Sequence, residues 1–405
     1  MSHHADLTSV DDALTHLLAQ ATPLAQIETV ALTGALGRIL AEDITVPLDV
    51  PPADNSAVDG YALRFEDLTP GATIPVSERI PAGHAPQPLT PGTAARIFTG
   101  SEVPAGADLV VMQERVEVAP DGIRISGEHT PGQNIRRRGQ DLAKGGLALA
   151  RGARLRPQEL GLLASIGIAE VPVLRRFRVA VLTTGDELVD PGQPLAAGQI
   201  YNSNRFTLLG LLERAGCEVV LCENLRDERS ATIETLHSAA DVADLVITSG
   251  GVSVGEEDHV RAVLESQGKL SLWRLAIKPG KPLAFGHLGK TPVIGLPGNP
   301  AAVLVTFLVV ALPFIRRCQG QDGRSPQGQR LAAAFAIDKP SIRREFVRAR
   351  KEIVDGEARV TAYPNQSSGM LSSACWADGL AIIPEHAVVS PGDTITYYSF
   401  NDLMG

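Results

Sequence analysis

The stretch Val179-Ala180-Val181-Leu182-Thr183-Thr184-Gly185-Asp186-Glu187 runs from four apolar residues into a polar, glycine-bearing turn. The same change recurs twice. Leu245-Val246-Ile247-Thr248 passes into Ser249-Gly250-Gly251-Val252-Ser253-Val254-Gly255, and Val293-Ile294-Gly295-Leu296 passes into Pro297-Gly298-Asn299-Pro300. Two further strand-like stretches fit the pattern, 218–225 leading to Arg226-Asp227 and 270–277 leading to Lys278-Pro279-Gly280-Lys281-Pro282. Helical periodicity fills the gaps at 205–215, 228–240, 256–267 and 300–315. Strands alternating with helical crossovers of this length predict an open, mainly parallel sheet covered on both faces, so 177–325 is read as an α/β domain.

Upstream, 11–21 places Leu14, Leu17 and Leu18 at helical spacing after the candidate cap Ser9, and 157–166 repeats the pattern with Pro157 in its first turn and Gly167 behind it. Between them Pro-Gly turns recur at 70–71, 91–92 and 131–132 among short apolar runs, which marks 46–141 as a β-rich insertion. The flanks 1–45 and 142–176 are then expected to form one discontinuous helical domain, their helices packed together and the insertion standing off in an elongated chain. Downstream, a polar linker at 320–329 leads to a small β-barrel at 326–405. Its clearest element is a hairpin around Asp355-Gly356, a pair suited to left-handed turn conformations. The expected fold class is thus multidomain α/β.

Composition narrows function. Among 405 residues, 46 acids exceed 37 bases for a net charge of -9, which gives no general attraction to nucleic acid or an anionic membrane. The first twenty residues lack a basic stretch followed by an apolar core. The apolar run 301–315 is shorter than the roughly 18 residues of a membrane span and reads as a buried helix. Cys217, Cys222, Cys318 and Cys375 show neither a CxxC pair nor Cys/His metal spacing, which suits reduced thiols in a cytoplasmic protein.

In an open parallel sheet, the loops leaving the carboxyl ends of the strands converge on one crevice. The loop 249–255 has three glycines and two serines ahead of a helix, a composition that suits phosphate, although it lacks the ending of a Walker loop and equally suits a tight packing turn. Asn299 with Pro300 fits an ordinary N-cap and first-turn proline as well as a ligand contact. Lys278 and Lys281 flank Pro279-Gly280; they suit a tetrahedral oxyanion or phosphate, or else are solvated surface lysines. Glu187, Asp227 and Asp258 fall in the same crevice. Desolvating unpaired carboxylates costs on the order of several kcal/mol each, so water or a hard cation must accompany them. Mg²⁺ suits carboxylates plus substrate phosphates, whereas separate surface carboxylates or caps, Asp186 among them, are the plain alternative. In the insertion, the polar run Asp54-Asn55-Ser56-Ala57-Val58-Asp59-Gly60-Tyr61-Ala62 after Pro51-Pro52 is either a binding loop or a self-satisfied turn, and the same choice holds for Thr99-Gly100 and for 136–141.

With the 54–62 run, Thr184-Gly185-Asp186-Glu187-Leu188, the 249–255 loop, Lys278-Pro279-Gly280-Lys281-Pro282 and Gly295-Leu296-Pro297-Gly298-Asn299-Pro300 in this order, the chain resembles the molybdopterin molybdenumtransferases, the MoeA proteins, and is similar to the gephyrin E domain. The resemblance covers nearly the whole chain. It implies insertion of molybdenum from molybdate into adenylylated molybdopterin, with Mg²⁺-dependent cleavage of the phosphoanhydride and release of AMP. It further implies a homodimer of four-domain subunits in which Asp59, Thr99 and Asp141 of one subunit's insertion face the α/β domain of the other. By the same resemblance Glu187, Asp227 and Asp258 are the metal-associated acids, and Lys278 and Lys281 hold molybdate with Arg348 and Ser367. Ser249, Gly250, Gly251, Ser253 and Gly255 receive pterin phosphate, and Pro297, Asn299 and Pro300 also belong to the substrate site. Arg274 stands where some relatives carry Lys, and Arg350 or Ser368 are alternatives to Arg348 and Ser367. A molybdopterin adenylyltransferase is a possible partner. Two other functions stay open: hydrolysis of a different nucleotide-type phosphoanhydride, because competence-damage proteins carry a related α/β domain, and a non-catalytic molybdopterin-binding scaffold.

Overall fold

The computed structural model describes residues 7–225, 228–251, 259–267, 269–321 and 326–404. Contacts divide the chain into two compact units, Met1–Glu28 with Leu174–Gly405, and Thr29–Val173.

The larger unit is built on a six-stranded sheet in the order Glu218–Leu225, Arg178–Thr184, Leu245–Ser249, Thr291–Leu296, Pro282–Leu288, Lys269–Arg274. Each pairing among the first four strands is parallel, and the last two strands add by antiparallel pairing. Side chains of a strand alternate between faces, and both faces here are apolar. Val179, Val181 and Ile247 enter one core with Leu208, Leu212 and the helical run Pro300–Cys318; Ala180, Leu182 and Val246 enter another with Leu236, Ala239, Val263 and Leu264. The strand Pro282–Leu288 is an addition to the expected set. Gly286 and His287 interrupt its apolar pattern, and Gly286 is required because a Cβ there would lie 2.9 Å from the Lys269 carbonyl oxygen. The expected strand 270–277 is in fact two. The chain leaves the sheet after Arg274, and Ile277–Lys278 pairs with Arg344–Val354 instead.

The run Pro300–Cys318 is apolar and long enough to cross a membrane, but 72% of its most apolar window is buried inside the protein. It is interrupted by a π segment at Phe307–Ala311 just before Pro313, whose missing N–H prevents regular α-helical bonding one turn back. The N-terminal helix Val10–Ala19 is capped by Ser9, whose hydroxyl accepts from the Asp12 N–H, and it buries Val10, Ala13 and Leu17 in the first of these cores. Leu14 packs against the same core.

The C-terminal region closes into a five-stranded barrel, because Arg344–Val354 pairs with both Glu357–Ala362 and Gly379–Ile383 at the two ends of the strand order. At its hairpin Val354 faces Glu357, and Asp355 and Gly356 take φ of +53° and +81°, the left-handed pair expected of Asp-Gly.

In the smaller unit, Val76–Ile80, Ala94–Ile97, Gly60–Leu63 and Leu109–Met112 form a four-stranded sheet with an apolar cluster on each face. Leu40, Ile44 and Val46 share a separate core with Leu155, Val171 and Leu163 of the helix Pro157–Ser165, so segments on both sides of the β-rich stretch meet.

Barrel closure leaves no room at Gly379, where a Cβ would lie 2.2 Å from the Tyr398 carbonyl oxygen. Gly379→Ala is expected to destabilise the barrel by about 2–4 kcal/mol. Scanning calorimetry should show its unfolding transition moving down; an unmoved transition would contradict this packing.

Candidate active site

Register sets the site. Thr183 is the partner of Ser249, and Ser249 of Leu296, so three parallel strands end on one line and release their polar loops together. These loops border a cavity of about 940 Å³. Of the residues expected from sequence, Glu187, Ser249, Gly250, Gly251, Lys278, Lys281, Pro297, Asn299, Pro300 and Ser367 line it. Asp227, Ser253, Gly255 and Asp258 lie outside the described residues.

The described start of the glycine loop is a close-packed turn. Gly250 has φ +88°, a Cβ there would lie 2.5 Å from Thr184 Oγ1, and its N–H donates to the Leu296 carbonyl at 3.1 Å, which ties the start of the loop to the neighbouring strand. The loop is braced by Asn204, which the sequence reading missed. Its Nδ2 donates to Ser249 Oγ at 2.9 Å and to the Gly298 carbonyl at 2.7 Å, while its buried Oδ1 has no hydrogen-bond partner among the described residues. Asn202 caps the helix Ser203–Arg214 through the Arg205 N–H and donates to Thr183 Oγ1 at 2.8 Å. Starting that helix at 205 hid both asparagines; the cap-forming cluster Asn202-Ser203-Asn204 was the available signal. Asn299 stands at the N-cap of Pro300–Thr306 without a side-chain cap bond, so the ordinary capping role is not the one its side chain fills.

The cations differ from one another. Lys278 Nζ donates to both carboxylate oxygens of Glu345 at 3.0 Å, and Glu345 is only 8% exposed. Lys281 follows Gly280, whose φ of +107° and contact with Thr306, 2.4 Å from a built Cβ, leave no place for a side chain. Arg343 also lines the cavity, and neither it nor Lys281 forms an ion pair among the described residues. Arg348 lies behind the Ser367 loop. It is 1% exposed, absent from the cavity lining, and donates through Nε to Ser373 Oγ at 3.0 Å and through its terminal nitrogen to the Ser367 carbonyl at 2.9 Å. Burial lowers its pKa to about 10. It therefore holds the Ser367 loop, whose next carbonyl, that of Ser368, accepts from the Ala301 N–H at 2.9 Å. Arg350 is committed to the Trp376 carbonyl and ring. Arg274 lies opposite Pro282 in the antiparallel pair and is also absent from the cavity lining.

Among the described residues no group of three His, Cys, Asp or Glu side chains is arranged to hold a metal ion. Glu187 is the acid on the cavity wall, and its carboxylate forms no ion pair among them. A single carboxylate open to a cavity fits Mg²⁺, which commonly takes one or two carboxylates and completes its shell with substrate oxygens and water.

In the smaller unit, Asp59 Oδ1 accepts from both the N–H and the hydroxyl of Thr99 at 2.7 Å. Asp141 donates its N–H to the Val50 carbonyl, and Asp54 takes bonds from Arg137 and the Arg138 N–H, so part of the basic run is tied down. The Thr99 N–H, followed by the hydroxyl, holds the Asp59 carboxyl below its ordinary 3.8. The bonds therefore favour the folded state above the unfolded pKa, and that contribution is lost as pH falls through the lower, folded value. Thr99→Val keeps the backbone donor and removes the other. Its Asp59 carboxyl, followed by NMR titration, should titrate at higher pH, toward 3.8; an unmoved titration would contradict the hydroxyl's role.

Three family models match the chain in order: MoeA N-terminal region (domain I and II) at 8–167, probable molybdopterin binding domain at 180–317, and MoeA C-terminal region (domain IV) at 330–400. The chain is 43% identical over 404 residues to a molybdopterin molybdenumtransferase of Haemophilus influenzae, covering 98% of this chain and 100% of the relative. It is 41% identical to molybdopterin molybdenumtransferase 2 of Mycobacterium tuberculosis, covering 89% and 91%. The crystal structure of a molybdopterin biosynthesis moeA protein from Pyrococcus horikoshii matches with a TM-score of 0.83 at 32% identity, over 98% of this chain and 100% of that one. Three matched regions in the right order, full-length identity and a shared fold agree: the chain belongs to the MoeA family of molybdopterin molybdenumtransferases.

Proposed function

We propose that this transferase of molybdenum cofactor biosynthesis takes adenylylated molybdopterin and molybdate, inserts the metal into the dithiolene, and releases AMP as the phosphoanhydride is cleaved. The observation that carries the proposal is the meeting of Lys278, Lys281 and Arg343 with the Glu187 carboxylate on the wall of one cavity. Phosphoanhydride cleavage depends chiefly on charge stabilisation and positioning, so these groups need no activated side-chain nucleophile beside them. Lys281 and Arg343 attract the oxyanion. Lys278 adds an ammonium whose charge is shared with Glu345, and Ser367 and Ser368 bring hydroxyls from the barrel loop. Asn204 keeps the Ser249 and Gly298 loops together beneath the substrate. Glu187 would hold Mg²⁺, with Asp227 and Asp258 as further candidates. When bound, Mg²⁺ supplies neutralisation of charge on phosphoanhydride oxygens.

The same proposal places the protein in the cytoplasm as a homodimer, with Asp59, Thr99 and Asp141 of one subunit completing the partner's site, and with a molybdopterin adenylyltransferase as a candidate supplier of substrate. AMP release from adenylylated molybdopterin should require both molybdate and Mg²⁺. Lys281→Ala should raise the KM for molybdate by about tenfold or more, as expected for loss of a charged hydrogen bond. Lys278→Ala and Asp258→Asn should fold and lose transfer to an apo molybdoenzyme. AMP release without metal insertion would favour the hydrolase, and intact substrate under all conditions the scaffold.

A further inference from the structure

Glu345 does not line the cavity, yet it meets the cation that does. It lies on the barrel strand Arg344–Val354, which runs parallel to Ile277–Lys278 with Lys278 and Glu345 as register partners. The Glu345 side chain is 11% exposed and that of Lys278 is 42% exposed, so the acid is the fixed, buried member and the ammonium the one presented to the cavity. Both carboxylate oxygens stand 3.0 Å from Nζ, a fork that restrains an otherwise flexible four-carbon stem. A buried carboxylate that lost this partner would be strongly penalised, so the pair is retained as a unit.

We propose that Glu345 is a positioning residue for oxyanion binding, holding Lys278 at the cavity wall and cancelling most of its charge. The inference rests on the proposed molybdate site. The net cationic charge of the wall then comes from Lys281 and Arg343, while Lys278 is shared between Glu345 and the bound dianion. Such sharing weakens ground-state binding of an oxyanion that must leave the wall to be transferred, and tight binding of the ground state alone does not accelerate transfer. The carboxylate thereby lowers affinity and raises turnover.

Equilibrium dialysis of the full chain with molybdate tests this directly, with melting curves to verify folding. Glu345→Gln should bind molybdate roughly threefold to tenfold more tightly than the natural protein, with a lower KM and a lower kcat in the transfer assay. The gain should vanish when Lys278→Gln is added. Unchanged or weaker binding by folded Glu345→Gln would overturn the charge cancellation on which the proposal turns, while leaving the molybdate site standing. Natural protein that binds no molybdate would instead remove the site itself. Should Glu345→Gln fail to fold, Glu345→Asp withdraws the carboxylate by one methylene and should show a smaller gain in affinity; no gain would overturn the proposal.

Discussion

The site depends on the parallel ladder that aligns Thr183, Ser249 and Leu296. Side chains in a strand alternate with a period of two, so a one-residue slip would exchange its faces. Here both faces are apolar, and a slip would still mispack two differently shaped cores. More directly, it would move one loop about 3.3 Å along the sheet relative to the others. The bonds of Asn204 to Ser249 and Gly298 span two of those loops, and Gly250 N–H to Leu296 spans the same gap. Core packing therefore fixes loop positions before any ligand is present.

Burial sorts the charged groups near this cavity by role. Groups that reach the wall without an ion pair among the described residues, such as Lys281 and Arg343, keep their charge available to a ligand. Glu345 is nearly excluded from solvent and acts through Lys278. Because Lys278 lies in the chain between two strands of the α/β sheet, its pairing with the barrel strand that carries the acid also couples the two sheets. The strand pairing that brings them together continues the barrel by one short strand, and the Ala301 N–H bond to Ser368 adds a second tie.

Much of this was legible in the residues. Alternating apolar runs and polar turns located the parallel strands and their functional ends, because period and loop chemistry are local properties. Asp355-Gly356 specified its hairpin for the same reason. The strand Pro282–Leu288 was not legible: Gly286 and His287 break its pattern, and only the tertiary approach of the Lys269 carbonyl explains the glycine. The path from Arg274 into the barrel was hidden as well, since a continuous apolar run does not show where it changes sheets. Motif position marked Lys278 as a site residue, but its partner Glu345 lies 67 residues away, a distance over which no spacing rule operates.

Two of the barrel arginines show most clearly why residue type underdetermines role. Arg343 and Arg348 lie on the same short stretch, with equal formal charge and equal reach. Alternation in the strand sends Val347 into the barrel core and Phe346 into the core shared with the α/β sheet, and the chain places Arg348 where solvent is excluded. There its lowered pKa of about 10 still leaves it charged near neutrality, so its guanidinium must be satisfied by fixed acceptors. Ser373 Oγ and the Ser367 carbonyl supply them. The conformation in which the barrel loop satisfies this buried cation is also the one that brings Ser367 and Ser368 to the cavity. An arginine that never reaches the cavity can thus govern its hydroxyls through the cost of leaving its own charge unsolvated.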